Sequence, residues 1–491
     1  LFPAATFHNS ANWAGFDCND SCLPYLDPSD PLFIEIGSQL VQATINALNF
    51  TSHYYACDLF NEMTPPIRVM QAWLFLDGFW TTDRVQAFLS KVPLGNLILL
   101  DLYSEALPQY SRFNSFYGHP YIWNMLHDFG GNNEMFGTLR NVNTGPTAAR
   151  NFSATLMIGI GITMEGINQN EVMYEFALEQ SWRKQLNDEE IKDWLIEYVR
   201  RRYETSDPVP ITTIVAWQLL ETSVYNNNPH PSRPILVRRP ALDMDEKIDF
   251  NVTSLLMAWS LMVDASSKLD SDLFRYDLVD LTKEVLRYYF TNVYFKLETA
   301  WKNSDLYEFG NQAAVMVDIL NDTEILLASD RRFLLGNWIA DAITFARNEE
   351  ELQFYKFNAK LQVSIWGAKY TLGLYDYASK FWSGMMRDYY APRWHVFLDT
   401  LARCLFEDQP LNVTYLNERI FLEAEFAFFT WQADYPTDTK GMQSTIQNVQ
   451  CDSITIVQSL FKKYRQALSQ LRFPDVSYSR DDQTYPHTYL N

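Results

Sequence analysis

The chain has 491 residues, of which 47% are hydrophobic and 20% charged, so it can form two or three domains with large cores and is not intrinsically disordered. Its formal net charge of −21 argues against a nucleic-acid-binding protein, because such a protein needs a basic face. No run of about 18 apolar residues occurs, so we expect no membrane span.

The first residues, Leu1-Phe-Pro-Ala-Ala, contain neither an initiator Met nor a signal-peptide core, which predicts a processed product or a fragment. The cysteines form no Cys-x-x-Cys pair or zinc-type cluster, and we expect no metal or cofactor. They are Cys18, Cys22, Cys57, Cys404 and Cys451. Asn-x-Ser/Thr glycosylation signals occur at Asn19, Asn49, Asn151, Asn251, Asn321 and Asn412. With the acidic composition, these signals favour a lysosomal or secreted protein over a cytosolic one.

Up to about residue 187, short apolar runs alternate with loops rich in Gly, Pro and Asn. The runs that predict buried strands cover residues 54–60, 69–75, 97–102, 121–126 and 155–160. Such runs, separated by helical stretches, are typical of parallel βα units. Polar residues follow the strands, namely Asn61, Glu62, Glu105, His127 and Glu165. In βα barrels the chemistry is located at these strand ends.

From about residue 188 the apolar residues recur at spacings of three and four, which predicts an all-α domain over residues 188–491. The predicted helices cover residues 191–203, 255–263, 273–289, 311–325, 332–346, 375–390 and 454–471. The Pro-rich stretch 226–240 is expected to be irregular. The charged runs 200–202 and 349–351 are expected on solvated helix faces.

Two glutamates are the strongest candidates for chemistry. Glu62 ends an apolar run and precedes a Pro-Pro loop, where burial would raise its pKa toward that of a general acid. Glu165 follows a second apolar run with a Gly-rich end. Two carboxylates at strand ends can flank one glycosidic bond, although Glu62 could equally cap a helix and Glu165 could lie in a surface turn. His127 could bind a sugar hydroxyl, but a lone histidine is more often structural.

Several motifs occur in the order found in one enzyme family. They include Phe60-Asn-Glu-Met63, Gln71-Ala-Trp-Leu-Phe75, Trp123-Asn-Met-Leu-His127, Phe129-Gly-Gly-Asn132, Glu165-Gly-Ile-Asn-Gln-Asn-Glu171, Leu236-Val-Arg-Arg-Pro240 and Tyr389-Tyr-Ala-Pro-Arg-Trp394. In these motifs the chain resembles the lysosomal α-N-acetylglucosaminidases of glycoside hydrolase family 89, nearly from end to end.

The resemblance implies the C-terminal part of a (β/α)8 TIM-type barrel over residues 1–187, followed by an all-α domain over residues 188–491 that closes the active site. It implies removal of terminal α-linked N-acetylglucosamine from heparan sulfate, with retention of configuration. Glu62 would be the acid/base and Glu165 the nucleophile. Substrate-binding positions would be Asn61, Trp73, Trp123, His127, Trp366, Leu374 and Tyr377. The resemblance also implies a Cys18–Cys22 disulfide and a homotrimer.

Two features depart from the family pattern. The family's N-terminal domain and first barrel strands precede the region that matches Leu1. The link from Glu62 to Arg68 is too short for a parallel crossover, which needs about a dozen residues or more. Asp128 also stands where the family has Asn. An alternative hypothesis is therefore a catalytically inactive product that binds only glycan or partners. A third is a glycosidase with another sugar preference.

Overall fold

The structure is a computed structural model. It describes residues 5–10, 18, 22, 24–49, 80–152, 155–166, 169–203, 208–227, 230–246, 248, 250–367, 375–439 and 452–470. Within these ranges no helix is long and apolar enough to cross a membrane.

Among its described residues, the N-terminal half contains two small sheets. Strands β1 (Phe7–Asn9) and β2 (Pro24–Leu26) form an antiparallel pair. Strands β3 (Leu99–Asp101), β4 (Tyr121–Met125) and β5 (Met157–Ile162) form a parallel sheet in the order β3-β4-β5. The strands predicted at 97–102, 121–126 and 155–160 are therefore confirmed. The strands predicted at 54–60 and 69–75 lie outside the described residues.

Helices separate the parallel strands, as βα units require. In this half they are α1 (Pro31–Leu48), α2 (Thr82–Leu89), α3 (Gln109–Arg112), α4 (Leu139–Asn151) and α5 (Glu171–Glu179). Helix α4 packs on the sheet at Gly145, where a Cβ would lie 2.9 Å from the indole ring of Trp123. The ring of Trp123 is fully buried, so this contact belongs to the core.

The C-terminal half is helical. Its α-helices are α6 (Asp188–Tyr203), α7 (Ile211–Glu221), α8 (Val252–Ala265), α9 (Asp272–Lys302), α10 (Leu306–Leu327), α11 (Leu335–Ile343), α12 (Glu349–Gln362), α13 (Ala391–Glu407), α14 (Val413–Ile420), α15 (Phe426–Thr430) and α16 (Ser453–Ser469). Short 3-10 turns lie at Ser115–Gly118, Ile235–Val237 and Arg331–Phe333, and π-helical turns at Met386–Tyr390 and Phe421–Glu425. Helix α9 packs against α6, α8, α10 and α16 and is buried along most of its length.

Two predictions for this half are wrong in part. The helix predicted over 375–390 begins only at the π-turn Met386–Tyr390, and residues 375–384 are irregular. In the run 200–202, Arg200 and Arg201 are about half exposed as expected, but the Arg202 side chain is only 7% exposed. Its guanidinium pairs with Asp277 at 2.6 Å, because this position of α6 faces α9.

Candidate active site

The ends of the three parallel strands meet, as strand ends on one edge of a parallel sheet must. After β3 and β4, the Glu105 carboxylate accepts the backbone N–H of His127 at 2.6 Å and that of Leu126 at 3.2 Å. After β5, the Glu165 N–H donates to the carbonyl of Asp128 at 3.1 Å. The structure therefore brings Glu105, His127 and Glu165 to one edge of the sheet.

The Glu165 carboxylate is held from both halves of the chain. Its Oε2 accepts the Gly130 N–H at 2.6 Å and the Tyr377 hydroxyl at 2.6 Å. Glu165 is nevertheless exposed, so a ligand can reach it. Because both donors engage Oε2, the carboxylate is fixed in one orientation and Oε1 is the oxygen left to act on a ligand.

Aromatic and cationic side chains surround this contact. The ring of Trp366 meets that of Tyr377 edge-on, with centroids 5.7 Å apart. The Arg233 guanidinium lies 5.6 Å from the Tyr377 ring centroid on a different segment of the helical half. Such a combination provides apolar surface for a sugar ring and a positive charge for an anionic substituent.

The turn that carries Tyr377 is anchored by the residue before it. Asp376 is buried and has a left-handed backbone, with φ of 57°. Its carboxylate accepts two hydrogen bonds from Arg393 Nη1, at 3.0 and 2.8 Å, and one from the Tyr389 hydroxyl at 2.9 Å. Arg393 is itself fully buried in α13. This charge-assisted network fixes a backbone conformation that is otherwise unfavourable for a non-glycine residue.

Asp128, which is buried, and Lys380, which is half-buried, lie beside the Gly130–Gly131 loop. Burial raises the pKa of Asp128 to about 7, with Lys380 lowering it and Glu165 adding to the rise. Burial also lowers the pKa of Lys380 to about 8, and Asp128 opposes that change. The Lys380 ammonium donates to the carbonyl of Gly131. A charge from the helical half therefore lies against the barrel loop that binds Glu165.

A second charged cluster joins the two halves deeper in the molecule. The Arg287 guanidinium of α9 lies 2.5 Å from Glu284, 2.6 Å from Glu246 and 3.5 Å from Glu134. All three carboxylates are fully buried, and burial raises the pKa of Glu134 to about 7. Glu134 also accepts the Ser232 hydroxyl at 2.7 Å. This cluster fixes the barrel loops against the helical half.

Comparison with protein-family models identifies both halves. Residues 1–69 and 66–184 match the α-N-acetylglucosaminidase (NAGLU) tim-barrel domain, in two segments that meet at the short link noted in the sequence. Residues 194–463 match the α-N-acetylglucosaminidase (NAGLU) C-terminal domain. The chain belongs to the α-N-acetylglucosaminidase family. The fold prediction is thereby confirmed, and β3–β5 are strands of a TIM-type barrel.

Individual relatives agree with this assignment. The human α-N-acetylglucosaminidase is 34% identical over 497 aligned residues, which cover 94% of this chain and 64% of the human protein. A family 89 glycoside hydrolase from Clostridium perfringens in complex with PUGNAc superimposes with a TM-score of 0.78 at 22% identity, covering 94% of this chain and 54% of that one. The same bacterial enzyme in complex with its substrate GlcNAc-α-1,4-galactose gives a TM-score of 0.77 at 21% identity, covering 94% and 55%.

The predicted site residues fall into three groups. Tyr377 donates to Glu165 and Trp366 packs against Tyr377, so the structure brings these two predicted residues together near the glutamate. Trp123 and His127 are 0% and 1% exposed, so both act as core residues beneath the site and neither presents a surface to a sugar. The His127 ring stacks on Phe136, and burial lowers its pKa to about 3, so it is neutral. A third group lies outside the described residues: Asn61, Glu62, Trp73 and Leu374.

The predicted disulfide and glycosylation positions also lie partly within and partly outside the described residues. The Cys18–Cys22 disulfide is confirmed. Cys404 is half-buried and forms no disulfide with a described residue, while Cys57 and Cys451 are not among the described residues. Asn49, Asn151, Asn251, Asn321 and Asn412 are all exposed, whereas Asn19 falls in an undescribed stretch. Glycosylation at these positions stays a prediction.

Sequence reasoning missed three parts of the site. The Gly130 N–H is a backbone donor, and only the Gly-Gly pair hinted at a close approach. Lys380 lies in a stretch predicted to be a helix, where it resembled a surface lysine. Asp128 was noted only as a departure from the family's Asn, and its burial beside Glu165 could not be read from its neighbours in the sequence.

Proposed function

We propose that this chain carries the catalytic machinery of an exo-acting, retaining glycoside hydrolase that removes terminal α-linked N-acetylglucosamine. The observation that carries the proposal is the Glu165 carboxylate at the end of β5, fixed by the Gly130 N–H and the Tyr377 hydroxyl, each at 2.6 Å. Family membership indicates which sugar is cleaved, because the human relative is an α-N-acetylglucosaminidase and a bacterial family 89 enzyme binds GlcNAc-α-1,4-galactose.

The chemistry of the substrate calls for an enzymic nucleophile. In an α-glycoside of N-acetylglucosamine the leaving group is cis to the 2-acetamido group, which therefore cannot attack from the opposite face. A retaining enzyme then needs a carboxylate nucleophile, and a second carboxyl group about 5–5.5 Å away to protonate the leaving oxygen. We assign the attack on the anomeric carbon to Glu165 and the proton transfer to Glu62.

Both residues act in each of the two steps, formation and hydrolysis of the glycosyl ester. Glu62 gives its proton to the leaving oxygen while Glu165 Oε1 forms the glycosyl ester. Glu62, now ionised, takes a proton from water, and the water oxygen displaces Glu165 from the sugar. Trp366 and Tyr377 form an aromatic wall beside the nucleophile, and Trp73 is proposed to contribute another apolar face.

We extend the proposal to heparan sulfate in an acidic, oxidising compartment of the secretory pathway, such as the lysosome. The net charge of −21 disfavours a polyanion at large, so recognition would be confined to the terminal sugar with local help from Arg233. The Cys18–Cys22 disulfide suits an oxidising compartment. Buried carboxyl groups that hold a proton near neutrality, Asp128 and Glu134 among them, suit an acidic one.

The test is hydrolysis of a chromogenic α-N-acetylglucosaminide near pH 5 by the full chain and by Glu165→Gln. We expect hydrolysis, a loss of at least about a thousandfold in Glu165→Gln, and initial release of the α-anomer by NMR. Glu175→Gln is the matched control, because Glu175 is exposed on α5 and pairs with Arg201 on α6. Full activity in Glu165→Gln, or initial release of the β-anomer, would contradict the assignment.

Two other results identify the alternatives. If the chain and Glu165→Gln both bind PUGNAc but neither hydrolyses the chromogenic α-N-acetylglucosaminide, the protein is a non-catalytic glycan-binding protein. Faster hydrolysis of another nitrophenyl sugar in a panel of α- and β-glycosides would indicate a different sugar preference.

A further inference from the structure

The loop that holds Glu165 is itself held on its other side. Gly130 donates its N–H to Glu165, and the carbonyl of the next residue, Gly131, accepts a hydrogen bond from the Lys380 ammonium. Both glycines have left-handed backbones, with φ of 67° and 69°, which suits them to this sharp turn. The N–H that binds Glu165 and the carbonyl that binds Lys380 thus belong to neighbouring residues. A shift of Gly131 therefore also moves Gly130.

The loop is closely packed on both sides. A Cβ on Gly130 would lie 2.6 Å from the Tyr377 carbonyl oxygen and 2.7 Å from the Tyr377 ring. A Cβ on Gly166 would lie 2.9 Å from Asp128 Oδ2. The segment 377–380 of the helical half therefore lies directly on the loop from one side, and Asp128 and Gly166 support it from the other.

The charges at this junction change between acidic and neutral pH. The titratable groups that act on Asp128 or respond to it are Lys380 from the helical half, Glu165 after β5 and Tyr174 on α5. His127, next to Asp128 in the chain, is neutral. Asp128 has a raised pKa of about 7 and is therefore protonated near pH 5, where Lys380 is charged. In acid the charged Lys380 therefore lies near a neutral Asp128, and near neutrality it lies near an ionised one.

We propose that Lys380 is a positioning residue for Glu165, acting through the Gly130–Gly131 loop, and that Asp128 limits this role to acidic conditions. The inference deepens the proposed function and rests on it, since it assumes that Glu165 is the nucleophile. An ionised Asp128 attracts the Lys380 ammonium, weakens its hydrogen bond to the Gly131 carbonyl and offsets its positive charge beside Glu165. The loop then loses the contact that keeps the Gly130 N–H on the nucleophile.

The experiment compares Lys380→Met, Lys380→Arg and Asp128→Asn with the full unmodified chain, using kcat and KM from pH 4 to 8. We expect Lys380→Met to lower kcat at least about tenfold with KM changed less than threefold, and Lys380→Arg to recover part of that loss. Asp128→Asn should extend activity at the alkaline end by about one pH unit. Lys463→Met and Asp434→Asn are the matched controls, because Lys463 pairs with Asp322 on the outside of the helical half and Asp434 is 93% exposed.

The outcomes separate the inference from the proposed function. A Lys380→Met variant with normal kcat, or an Asp128→Asn variant whose pH profile overlays that of the unmodified chain, overturns the inference while Glu165→Gln remains inactive. If Glu165→Gln is fully active, the nucleophile assignment fails and the inference fails with it.

A binding measurement covers variants that fold poorly or turn over slowly. Calorimetric titration with 2-acetamido-1,2-dideoxynojirimycin, whose ring nitrogen becomes a cation beside Glu165, reports the loop geometry without turnover. We expect Lys380→Met to bind at least threefold more weakly than the unmodified chain near pH 5, and Asp128→Asn to bind more tightly than the unmodified chain at pH 8. Unchanged affinity in both variants overturns the inference, and absence of binding to the unmodified chain overturns the proposed function as well.

Discussion

Replacing Arg287 by methionine tests whether the buried charges at the junction of the two halves are as costly to disturb as their burial indicates. The Arg287 side chain is 2% exposed and faces Glu134, Glu246 and Glu284, all fully buried. Methionine keeps much of the apolar stem but leaves these carboxylates without their shared cation. Breaking a buried pair by removing one partner costs about 3–5 kcal/mol. We expect Arg287→Met to lower the free energy of unfolding by that amount at pH 7.5.

Arg200→Met is the matched control. Arg200 lies 2.5 Å from Glu197, the same distance as Arg287 from Glu284, but both of its pair's side chains are more than half exposed. An exposed pair contributes only about 0–1 kcal/mol. Urea unfolding followed by tryptophan fluorescence measures both variants, and a change of midpoint at constant slope gives the difference in free energy. Equal losses in the two variants would refute the argument from burial.

The pH dependence gives a second, independent check on Arg287→Met. Burial raises the pKa of Glu134 to about 7, and Arg287 opposes that rise, so the variant raises this pKa further. A carboxyl group with a raised folded-state pKa binds more protons in the folded state, and its contribution to stability is lost as pH increases through that pKa. The loss caused by Arg287→Met should therefore shrink at pH 5, where Glu134 is protonated. A loss that does not depend on pH contradicts this reasoning.

Three further predictions concern stability and activity. Because burial raises the pKa of Glu105 to about 8 and that of Asp280 to about 7, both hold protons in the folded state near neutrality, and the free energy of unfolding should fall by at least ~2 kcal/mol from pH 5 to pH 8 in urea titrations. Tyr377→Phe removes a hydrogen bond to a carboxylate and should lower kcat by about tenfold to a hundredfold, whereas Tyr307→Phe, at a tyrosine that is 80% exposed, should leave kcat unchanged. Gly145→Ala should lower the free energy of unfolding by about 1–3 kcal/mol because its Cβ would press on Trp123. Gly310→Ala in α10 meets no atom within 4 Å and should raise the free energy of unfolding by about 0.5–1 kcal/mol. A thermal melt in which Gly310→Ala is the less stable variant contradicts this account of the packing.

The parallel strands and their polar ends could be predicted because both follow from local pattern. A short apolar run between Gly-rich loops indicates a buried strand, and the residue types after 121–125 and 157–162 indicate a site at the sheet edge. Most helices of the second half were predictable for the same reason, since their apolar periodicity extends over several turns. The division at residues 187 and 188 stays a prediction, and the family models leave 185–193 unmatched.

Residues 375–384 show why periodicity can mislead. This stretch is rich in aromatic side chains, and Ala378 and Phe381 are buried as they would be in an amphipathic helix. The backbone is instead held by long-range hydrogen bonds, such as those from Arg393 to Asp376. Gly384, with φ of 93°, interrupts any helix that would run into the π-turn. Such contacts depend on tertiary structure, so no local pattern reveals them.

Buried charge was equally hidden. On α9 the spacing of Lys283, Glu284 and Arg287 is that of a solvated helix face, where opposite charges three and four residues apart are common. In the structure these side chains are 0–2% exposed. Lys283 contacts Asp280 and Glu284 of its own helix, whereas Arg287 also contacts Glu134 of a barrel loop and Glu246. The residues that form this cluster, such as Glu134 and Arg287, are more than a hundred positions apart in the sequence, so no local pattern reveals it.

The two hydrogen bonds on Glu165 have a consequence for interpreting natural and engineered variants. One donor, Gly130, precedes Glu165 by 35 positions, while the other, Tyr377, follows it by 212. The hydroxyl from the helical half is placed by a turn that depends on Asp376 and Arg393. A substitution at Arg393 in α13 is therefore expected to disturb the orientation of Glu165 as well as the packing of the helical half. Distance from the glutamate along the chain is a poor guide to whether a variant impairs folding or the reaction itself.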